Sequence, residues 1–441
     1  MTDYRNEWNA MLERSARYPD ALDGVEKRLR ARVSRRRRRE LGSALSMAAA
    51  VFLFVVLVNV SPAFAGAIMD IPVIGRLAEL VKFDKSLSGA IENDYVQAVG
   101  LHARDGQASL SLPYVIADEK NLILFYQLPD ELANAPRQGA DTFELNLERL
   151  GDGETGSELD GYSYESVLAG YEDLSKTQGL LLQRLSFLDA PVPRHLLLSV
   201  SLTQADQSLY GQTVSHFQFE LFLDAFAPAK VQEIHQTFTA LGQRFTVERL
   251  LLYPTVTQVD IRLDSGNDAL IKGFGLSILE DGGEALSKSN GITASYDGDM
   301  MHLYLESNYF NPGQGRRLSI EGIQLIPRAE EYVTVDLNAG TMEPDIPQLC
   351  LKTVEKSPSG ASARLVFENQ DSGYLPLSMT YEDTAGNTCS IDGMSSAQRD
   401  GRDEVSFMVT VPADGIIRLK RTLTSPTALD TPILIDIPSL D

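Results

Sequence analysis

An uninterrupted apolar segment constrains this chain more than any other feature. The 20 residues from Leu41 to Val60 carry no charge, and the central run AVFLFVVLV is apolar throughout. At about 1.5 Å per residue, a helix of this length spans roughly the 30 Å hydrocarbon layer of a bilayer. A buried helix of a soluble domain would need a large core, but this segment lies between an arginine block and a proline-containing loop. We therefore expect a single transmembrane helix at 41–60.

Basic residues before this span predict its orientation. Nine of them lie between Val25 and Glu40, against two acidic residues, and such a cluster is typical of the cytoplasmic end of a span. We therefore expect a single-pass protein of the cell membrane, with residues 1–40 in the cytoplasm and the remaining domains outside. No aromatic residue interleaves the arginines and lipid headgroups lie beside them, so membrane contact is favoured over nucleic-acid binding. The block that sets topology is Arg35, Arg36, Arg37, Arg38 and Arg39.

A cleaved signal peptide is the alternative to an anchor. Ala63 and Ala65 in SPAFAG follow the span in the arrangement of a signal-peptidase site. A typical signal has a short first region and an apolar core of about 7 to 15 residues, whereas here 40 residues precede a core of 20. The uncleaved anchor is favoured, and cleavage after Ala65 stays open.

Charge divides the chain in the same place. Residues 1–40 hold 12 basic and 7 acidic side chains, which leaves 27 basic and 54 acidic for residues 41–441, a net charge of −27. An acidic exterior favours solubility, but its net charge alone does not identify a binding partner. Cys350 and Cys389 both lie on the expected outer side, where they could form one disulfide or could be two small buried residues.

Periodicity predicts the fold of the exterior. Leucine, valine and isoleucine recur at helical spacing between Leu77 and Ile91, which indicates a juxtamembrane amphipathic connector at 61–96, lying on the membrane or on the next domain. Beyond it the period becomes two, as in HFQFELFLD from His216, which is typical of strands. We expect a mainly β ectodomain of tandem immunoglobulin-like β-sandwiches. Its units are a first β-sandwich at 97–226, a second immunoglobulin-like domain at 227–330 and a third β-rich domain at 331–441.

An internal repeat relates the first two units. The string GQASLSLPYVIADEKNLILFYQL from Gly106 matches GQRFTVERLLLYPTVTQVDIRL from Gly242, 136 residues later. Each copy has a Gly-Gln turn, an alternating strand, a tyrosine (Tyr114 or Tyr253) and a second strand. Repetition at this period predicts tandem domains of one architecture.

Catalytic and metal-binding motifs are missing from the sequence. It contains no Walker loop, GxSxG, HExxH, EF-hand loop or CxxC. The histidines are scattered singly on strand-like segments, which predicts solvated or hydrogen-bonded strand residues. We therefore expect no enzyme activity, no metal and no cofactor. These histidines are His102, His195, His216, His235 and His302.

Apolar residues of the amino-terminal segment form stripes at helical spacing on both sides of Pro19. A segment of 40 residues cannot bury such stripes by itself. It therefore packs on a partner or lies along the membrane surface, and we favour the partner. The residues of this predicted partner-binding surface are Trp8, Met11, Leu12, Leu22, Val25 and Leu29.

The segment from Asn59 to Val99 resembles a family of Gram-positive single-span membrane proteins known as domain of unknown function 4179. The residues that carry the resemblance are the NVSPAFA end of the span, Phe83-Asp84, and ENDYVQ from Glu92 to Gln97. LLLYPT from Leu250 resembles the immunoglobulin-like domain that often follows in such proteins. The family offers no established site residues.

Members of that family are similar in layout to anti-sigma factors and are often encoded beside sigma factors of the extracytoplasmic-function type. The resemblance therefore implies a membrane-anchored signalling regulator, whose exterior domains sense an unidentified envelope signal or ligand. Residues 1–40 contain neither His nor Cys, so any sigma binding would use a helix in a groove without zinc. The alternative is a binding or structural module of the cell surface, anchored by one span.

Overall fold

Antiparallel strands make up most of the chain in the computed structural model, which confirms the prediction of a mainly β fold. The strands form six sheets within the described residues. No helix in these ranges is long and apolar enough to cross a bilayer, and the predicted span 41–60 lies outside them. The structure describes residues 74–129, 142–165, 167–170, 177–205, 212–281, 285–287, 292–313, 315–370, 376–399 and 402–438.

The first sandwich encloses its core between two sheets, of order β1-β2-β3-β7-β5 and β6-β4-β8-β9. Its strands are β1 (Gln97–Asp105), β2 (Ala108–Ala117), β3 (Asn121–Gln127), β4 (Thr142–Asp152), β5 (Tyr162–Tyr164), β6 (Val167–Gly170), β7 (Leu180–Phe187), β8 (His195–Ala205) and β9 (Gln212–Phe222). Alternation in β9 buries Phe217, Phe219 and Leu221 against the other sheet, where Tyr126 lies 6.1 Å from Phe219 between ring centres. Each such buried side chain contributes about 1.5–3 kcal/mol.

The second sandwich repeats the five-stranded sheet as β10-β11-β12-β15-β14 and covers it with β13-β16-β26. Its strands are β10 (Lys230–Ala240), β11 (Gln243–Leu252), β12 (Thr257–Leu263), β13 (Ala269–Leu279), β14 (Ala294–Asp297), β15 (Met300–Leu305), β16 (Arg317–Pro327) and β26 (Thr427–Asp436). Phe245 and Phe274 join the two sheets edge to face, with ring centres 4.8 Å apart.

The last strand of the chain belongs to the second sandwich. The sequence placed it in the third unit, 331–441, but β26 pairs antiparallel with β16. Ile435 and Ile437 are buried in the second core. The burial of these two side chains explains why the chain returns to the second sandwich after the third. Gly322 permits the crossing, because a Cβ there would stand 2.9 Å from the carbonyl oxygen of Thr427.

The third sandwich is therefore an insertion between β16 and β26. Its sheets have the orders β18-β17-β25-β21-β22 and β19-β20-β24-β23. A 3₁₀ turn, Arg328–Glu330, leads into it, and Arg421 at its exit donates to Glu330 Oε2 at 2.7 Å. Its strands are β17 (Tyr332–Asp336), β18 (Thr341–Glu343), β19 (Leu349–Lys356), β20 (Ser362–Asn369), β21 (Leu377–Asp383), β22 (Thr388–Ser390), β23 (Gly393–Arg399), β24 (Arg402–Thr410) and β25 (Ile416–Arg421).

Two short helices of the connector, α1 (Ile74–Val81) and α2 (Lys85–Glu92), lie on the first sandwich. Val81 and Leu87 share a buried cluster with Ile116 of β2 and Phe125 of β3. The amphipathic pattern left open whether the connector lies on the membrane or on the next domain. In the structure both helices pack on the first sandwich.

Both copies of the internal repeat form the same hairpin. The first is β2 with β3 and the second is β11 with β12, and each occupies the same place in its five-stranded sheet. Gly106 and Gly242 open the two copies with φ of 60° and 78°, which glycine adopts without steric cost. The repeat therefore places two equivalent hairpin turns in the molecule.

Candidate functional site

Buried polar contacts join the first two sandwiches at those hairpin turns. Asp118 lies between β2 and β3 with no exposed surface. Its Oδ2 accepts hydrogen bonds from the backbone N–H of Thr255 at 2.8 Å and from the Thr255 hydroxyl at 2.7 Å. Its Oδ1 accepts from the backbone N–H of Lys120 and Asn121 at 2.8 and 2.9 Å. One carboxylate thus holds its own turn and fastens it to the second sandwich.

Two further side chains complete what we call the junction cluster: Asp118, Asn121, Ser186 and Thr255. Asn121 Nδ2 donates to the Thr255 hydroxyl at 2.7 Å, and the Ser186 hydroxyl donates to Asn121 Oδ1 at 2.7 Å. Every member therefore has a hydrogen-bond partner, as buried polar groups require.

Burial dominates the electrostatics of this junction. It raises the pKa of Asp118 above its ordinary value of 3.8, against the opposing effect of the hydrogen bonds from Thr255, Asn121 and Lys120. It also lowers the pKa of Lys120, while the nearby carboxylates of Asp260 and Asp118 act in the opposite sense. The cavity lined by Lys120, Asn121 and Ser186 measures 10 Å³, room for about one water. The space beside these three residues is therefore packed and admits no larger ligand.

The connector helix α2 binds both sandwiches. Asp84 is its N-cap and accepts from Leu87 N at 2.9 Å. The other carboxylate oxygen of Asp84 receives Arg184 Nη2 at 2.5 Å in a buried ion pair with β7. Ser86 Oγ accepts from Ser307 N of the second sandwich at 2.7 Å. Helix α2 is thereby fixed at the junction.

Tyr95 and Gln97 fasten the segment that links the first two sandwiches. The Tyr95 hydroxyl donates to the carbonyl of Ala117 at 2.9 Å and accepts from Ala227 N at 3.1 Å. Gln97 donates to the carbonyl of Phe222 and accepts from Asp224 N, at 2.9 and 3.0 Å. Burial raises the pKa of Tyr95 to about 12, so its hydroxyl stays protonated. Tyr95 and Gln97 of the ENDYVQ segment thus have a structural role.

A second polar cluster centres on Asp260 of β12. Its carboxylate accepts from Arg249 Nε at 2.7 Å and Gln258 Nε2 at 2.6 Å, and His302 Nδ1 lies 2.7 Å away. Burial raises the pKa of this carboxyl, but the hydrogen bonds from His302, Gln258 and Arg249 outweigh it, so the pKa falls below 3.8. Asp260 therefore remains ionised inside the sheet.

Histidines of the described strands contact side chains of other strands in the same sheet, as expected for hydrogen-bonded strand residues. His195 lies 2.9 Å from Glu220, His216 2.9 Å from Glu148, His235 2.8 Å from Glu248 and His102 2.8 Å from Ser111. Among the described side chains, no three His, Cys, Asp or Glu residues form a group that could hold a metal ion.

The two cysteines are not bridged. Cys350 on β19 and Cys389 on β22 lie in different sheets of the third sandwich, and both are free thiols. Cys389 packs against the third core, whereas Cys350 is exposed. The disulfide is absent from the structure, and the alternative of two buried residues holds in part for Cys389 but not for Cys350, which lies at the surface.

The predicted partner-binding residues lie outside the described part of the chain and stay predictions, and so does the arginine block Arg35–Arg39. Sequence reasoning missed Asp118, Thr255 and Arg184 as contact residues. The repeat identified the two hairpins, but nothing in it indicated that their turns meet. Arg184 gave no signal beyond a charge in an otherwise apolar strand pattern, LLLQRLSF.

The chain is distantly similar to several solved structures. The chain is similar to a conserved domain protein from Bacillus anthracis at 12% identity and a TM-score of 0.37, covering 57% of this chain and 85% of that one. It is similar to a marsupial T cell receptor at 9% identity and a TM-score of 0.14, covering 73% and 95%. These scores are too low to define the fold.

A search of curated proteins finds no match to the chain. One family model matches part of the chain. Residues 35–130 match a family described as a domain of unknown function, DUF4179. This range includes both connector helices, the hairpin of β2 and β3, and the contact residues Asp84, Tyr95, Gln97 and Asp118.

Proposed function

We propose that this protein is a membrane-anchored signalling regulator of the anti-sigma kind. Immunoglobulin-like sandwiches outside the membrane sense an envelope signal, and residues 1–40 hold a sigma factor of the extracytoplasmic-function type inside the cell. The observation that carries the proposal is the attachment of α2 to two sandwiches at once, through Asp84 with Arg184 and through Ser86 with Ser307.

This attachment supports a path for a signal. The chain leaving the proposed span reaches α1 and α2 after residues 61–73, without an intervening domain. Because α2 is held by buried contacts, a force or displacement applied to the first two sandwiches moves α2, which follows the proposed span in the chain after residues 61–84. A flexible tether would dissipate such a displacement, whereas a docked helix transmits it.

On the cytoplasmic side, the proposal assigns sigma binding to the surface made by Trp8, Met11, Leu12, Leu22, Val25 and Leu29. The amino-terminal segment has no His or Cys for zinc, so binding depends on apolar burial in a groove. Replacing Val25 and Leu29 with Asp would bury two charges against apolar surface. Such burial costs several kcal/mol, which is a hundredfold or more in affinity.

Co-purification from membranes tests the proposal. The full chain should retain the sigma factor encoded beside it, and Val25→Asp with Leu29→Asp should lose it. A matched control adds the same two charges to the opposite face of the predicted helix, as Gly24→Asp with Ala31→Asp, and should retain it. If the unaltered chain retains no sigma factor, the regulator proposal fails, and the anchored surface module is the function to test next.

A further inference from the structure

We propose that the loop between α1 and α2 contacts the lipid headgroup layer through Phe83, with Lys82 and Lys85 beside it. We call these three residues the connector tip. The inference rests on the proposed membrane anchor and adds a second, peripheral contact between the ectodomain and the bilayer.

Phe83 has the largest exposed fraction of any large apolar side chain that the structure describes. It is 83% exposed, compared with 60% for Phe222, the next in order. The helices on either side turn their apolar faces toward the first sandwich, yet the loop that joins them directs an aromatic ring outward. At this exposure the ring buries little of its apolar area against the protein, so most of that area is accessible to an external apolar surface.

The charges around this ring suit an anionic surface. Lys82 Nζ lies 5.0 Å from the centre of the Phe83 ring, and Lys85 is also exposed. The carboxylate within KFDK, that of Asp84, turns inward to the buried pair with Arg184. Lys82 also pairs with Glu79 at 2.5 Å, and Lys85 Nζ donates to the carbonyl of Ala285 at 3.4 Å. The tip thus presents an aromatic ring beside two exposed lysines, one of them paired with a carboxylate, although residues 41–441 carry a net charge of −27.

Chain length limits how far the tip can lie from the bilayer. Residues 61–73 separate the proposed span from α1; these 13 residues reach at most about 45 Å, whatever their conformation, and α1 adds about 12 Å. Lysine and aromatic side chains in combination are typical of protein segments that lie at the membrane interface, with the ring at the acyl boundary and the ammonium groups among phosphates. Anionic phospholipid headgroups are thus the partner that this tip fits.

A single-tryptophan experiment tests the contact. The chain has one tryptophan, Trp8, so Trp8→Phe with Phe83→Trp makes the tip the sole reporter. The full chain is reconstituted in vesicles of phosphatidylcholine and phosphatidylglycerol whose acyl chains are brominated. We expect a blue-shifted emission and quenching at least twofold stronger than in the matched control, Trp8→Phe with Met394→Trp. Met394 lies on the third sandwich and is 46% exposed.

Equal quenching at positions 83 and 394 would overturn the inference. A tip that binds a protein in place of lipid would give this result. Alkaline extraction of the same vesicles separates this failure from failure of the anchor. A chain that is extracted has no span, and the proposed function fails with it. A chain that is retained but shows no excess quenching at position 83 disproves the tip contact alone.

Discussion

Asp118 and Thr255, 137 residues apart, are joined by two hydrogen bonds of 2.8 and 2.7 Å to one buried carboxylate oxygen. Each residue lies in the turn of the same hairpin in two copies of an internal repeat. The tandem sandwiches therefore meet through equivalent elements of their five-stranded sheets. Helix α2 joins the same two sandwiches through separate buried contacts, Asp84 with Arg184 and Ser86 with Ser307.

The first prediction concerns Thr255→Val, which keeps the shape of the side chain but removes its hydroxyl. Asp118 would lose a donor and Asn121 an acceptor, each in a buried position. Leaving such groups unsatisfied costs about 1–3 kcal/mol. Urea unfolding of the detergent-solubilised chain should show that loss. Thr237→Val removes an exposed hydroxyl that pairs with Thr246 and should change stability by less than about 0.5 kcal/mol. Equal effects at the two sites would contradict a special role for the junction.

The second prediction concerns the ion pair that docks α2. Asp84→Asn can still cap the helix, but it leaves the Arg184 guanidinium buried at 5% exposure without its carboxylate. Removing one partner of a buried pair costs about 3–5 kcal/mol. Hydrogen exchange of the backbone in α2 should accelerate strongly. Lys82→Gln breaks the exposed pair with Glu79 and should leave exchange nearly unchanged, because such pairs contribute about 0–1 kcal/mol.

Local pattern in the sequence predicted the hairpins, the sandwich cores and the amphipathic connector, because each depends on residues close together in the chain. The alternation in HFQFELFLD also places Phe217 and Phe219 on one face of a strand, and that face is buried in the structure. It could not predict that β26 pairs with β16, because the period of a strand indicates its buried face and not its partner. Nor could it predict the pairs Asp84 with Arg184 and Asp118 with Thr255. Both depend on how separate elements pack.

The third prediction uses two carboxylates whose pKa values shift in opposite directions. The pKa of Asp260 is lowered, so its stabilising effect is present above pH 3.8 and is lost as the pH falls through the lowered value. The pKa of Asp118 is raised, so ionisation destabilises the fold increasingly as the pH rises above 3.8.

Asp260→Asn should therefore destabilise the chain most at neutral pH and progressively less below pH 3.8. Asp118→Asn should show the opposite trend, with its penalty shrinking as the pH rises above 3.8. Unfolding midpoints of both variants and the unaltered chain across this range measure the effect. Parallel pH profiles for the two variants would contradict the shifts.

The fourth prediction uses Cys350 as a natural probe of topology. Because its thiol is free and exposed, an impermeant maleimide should label it in intact cells, provided that the sandwiches lie outside. Mass analysis without reductant should show both Cys350 and Cys389 alkylated after denaturation.

In a Cys350→Ser, Cys389→Ser background, a thiol introduced by Ser15→Cys should resist the reagent until the membrane is opened. Labelling of position 15 in intact cells would reverse the proposed orientation.

The fifth prediction tests the insertion of the third sandwich. In one variant a short Gly-Ser linker replaces residues 331–422, and in the other the chain ends at Glu330. Both lack the third sandwich, but only the first keeps β26 with Ile435 and Ile437, which are 1% and 7% exposed. Each of these isoleucines contributes about 1.5–3 kcal/mol of burial to the second core, and β26 also covers the edge of β16. The linker variant should therefore keep the second sandwich protected from proteolysis, while the truncated chain should be cleaved there. Equal protection in both would show that β26 is dispensable and that the second unit ends at residue 330 after all.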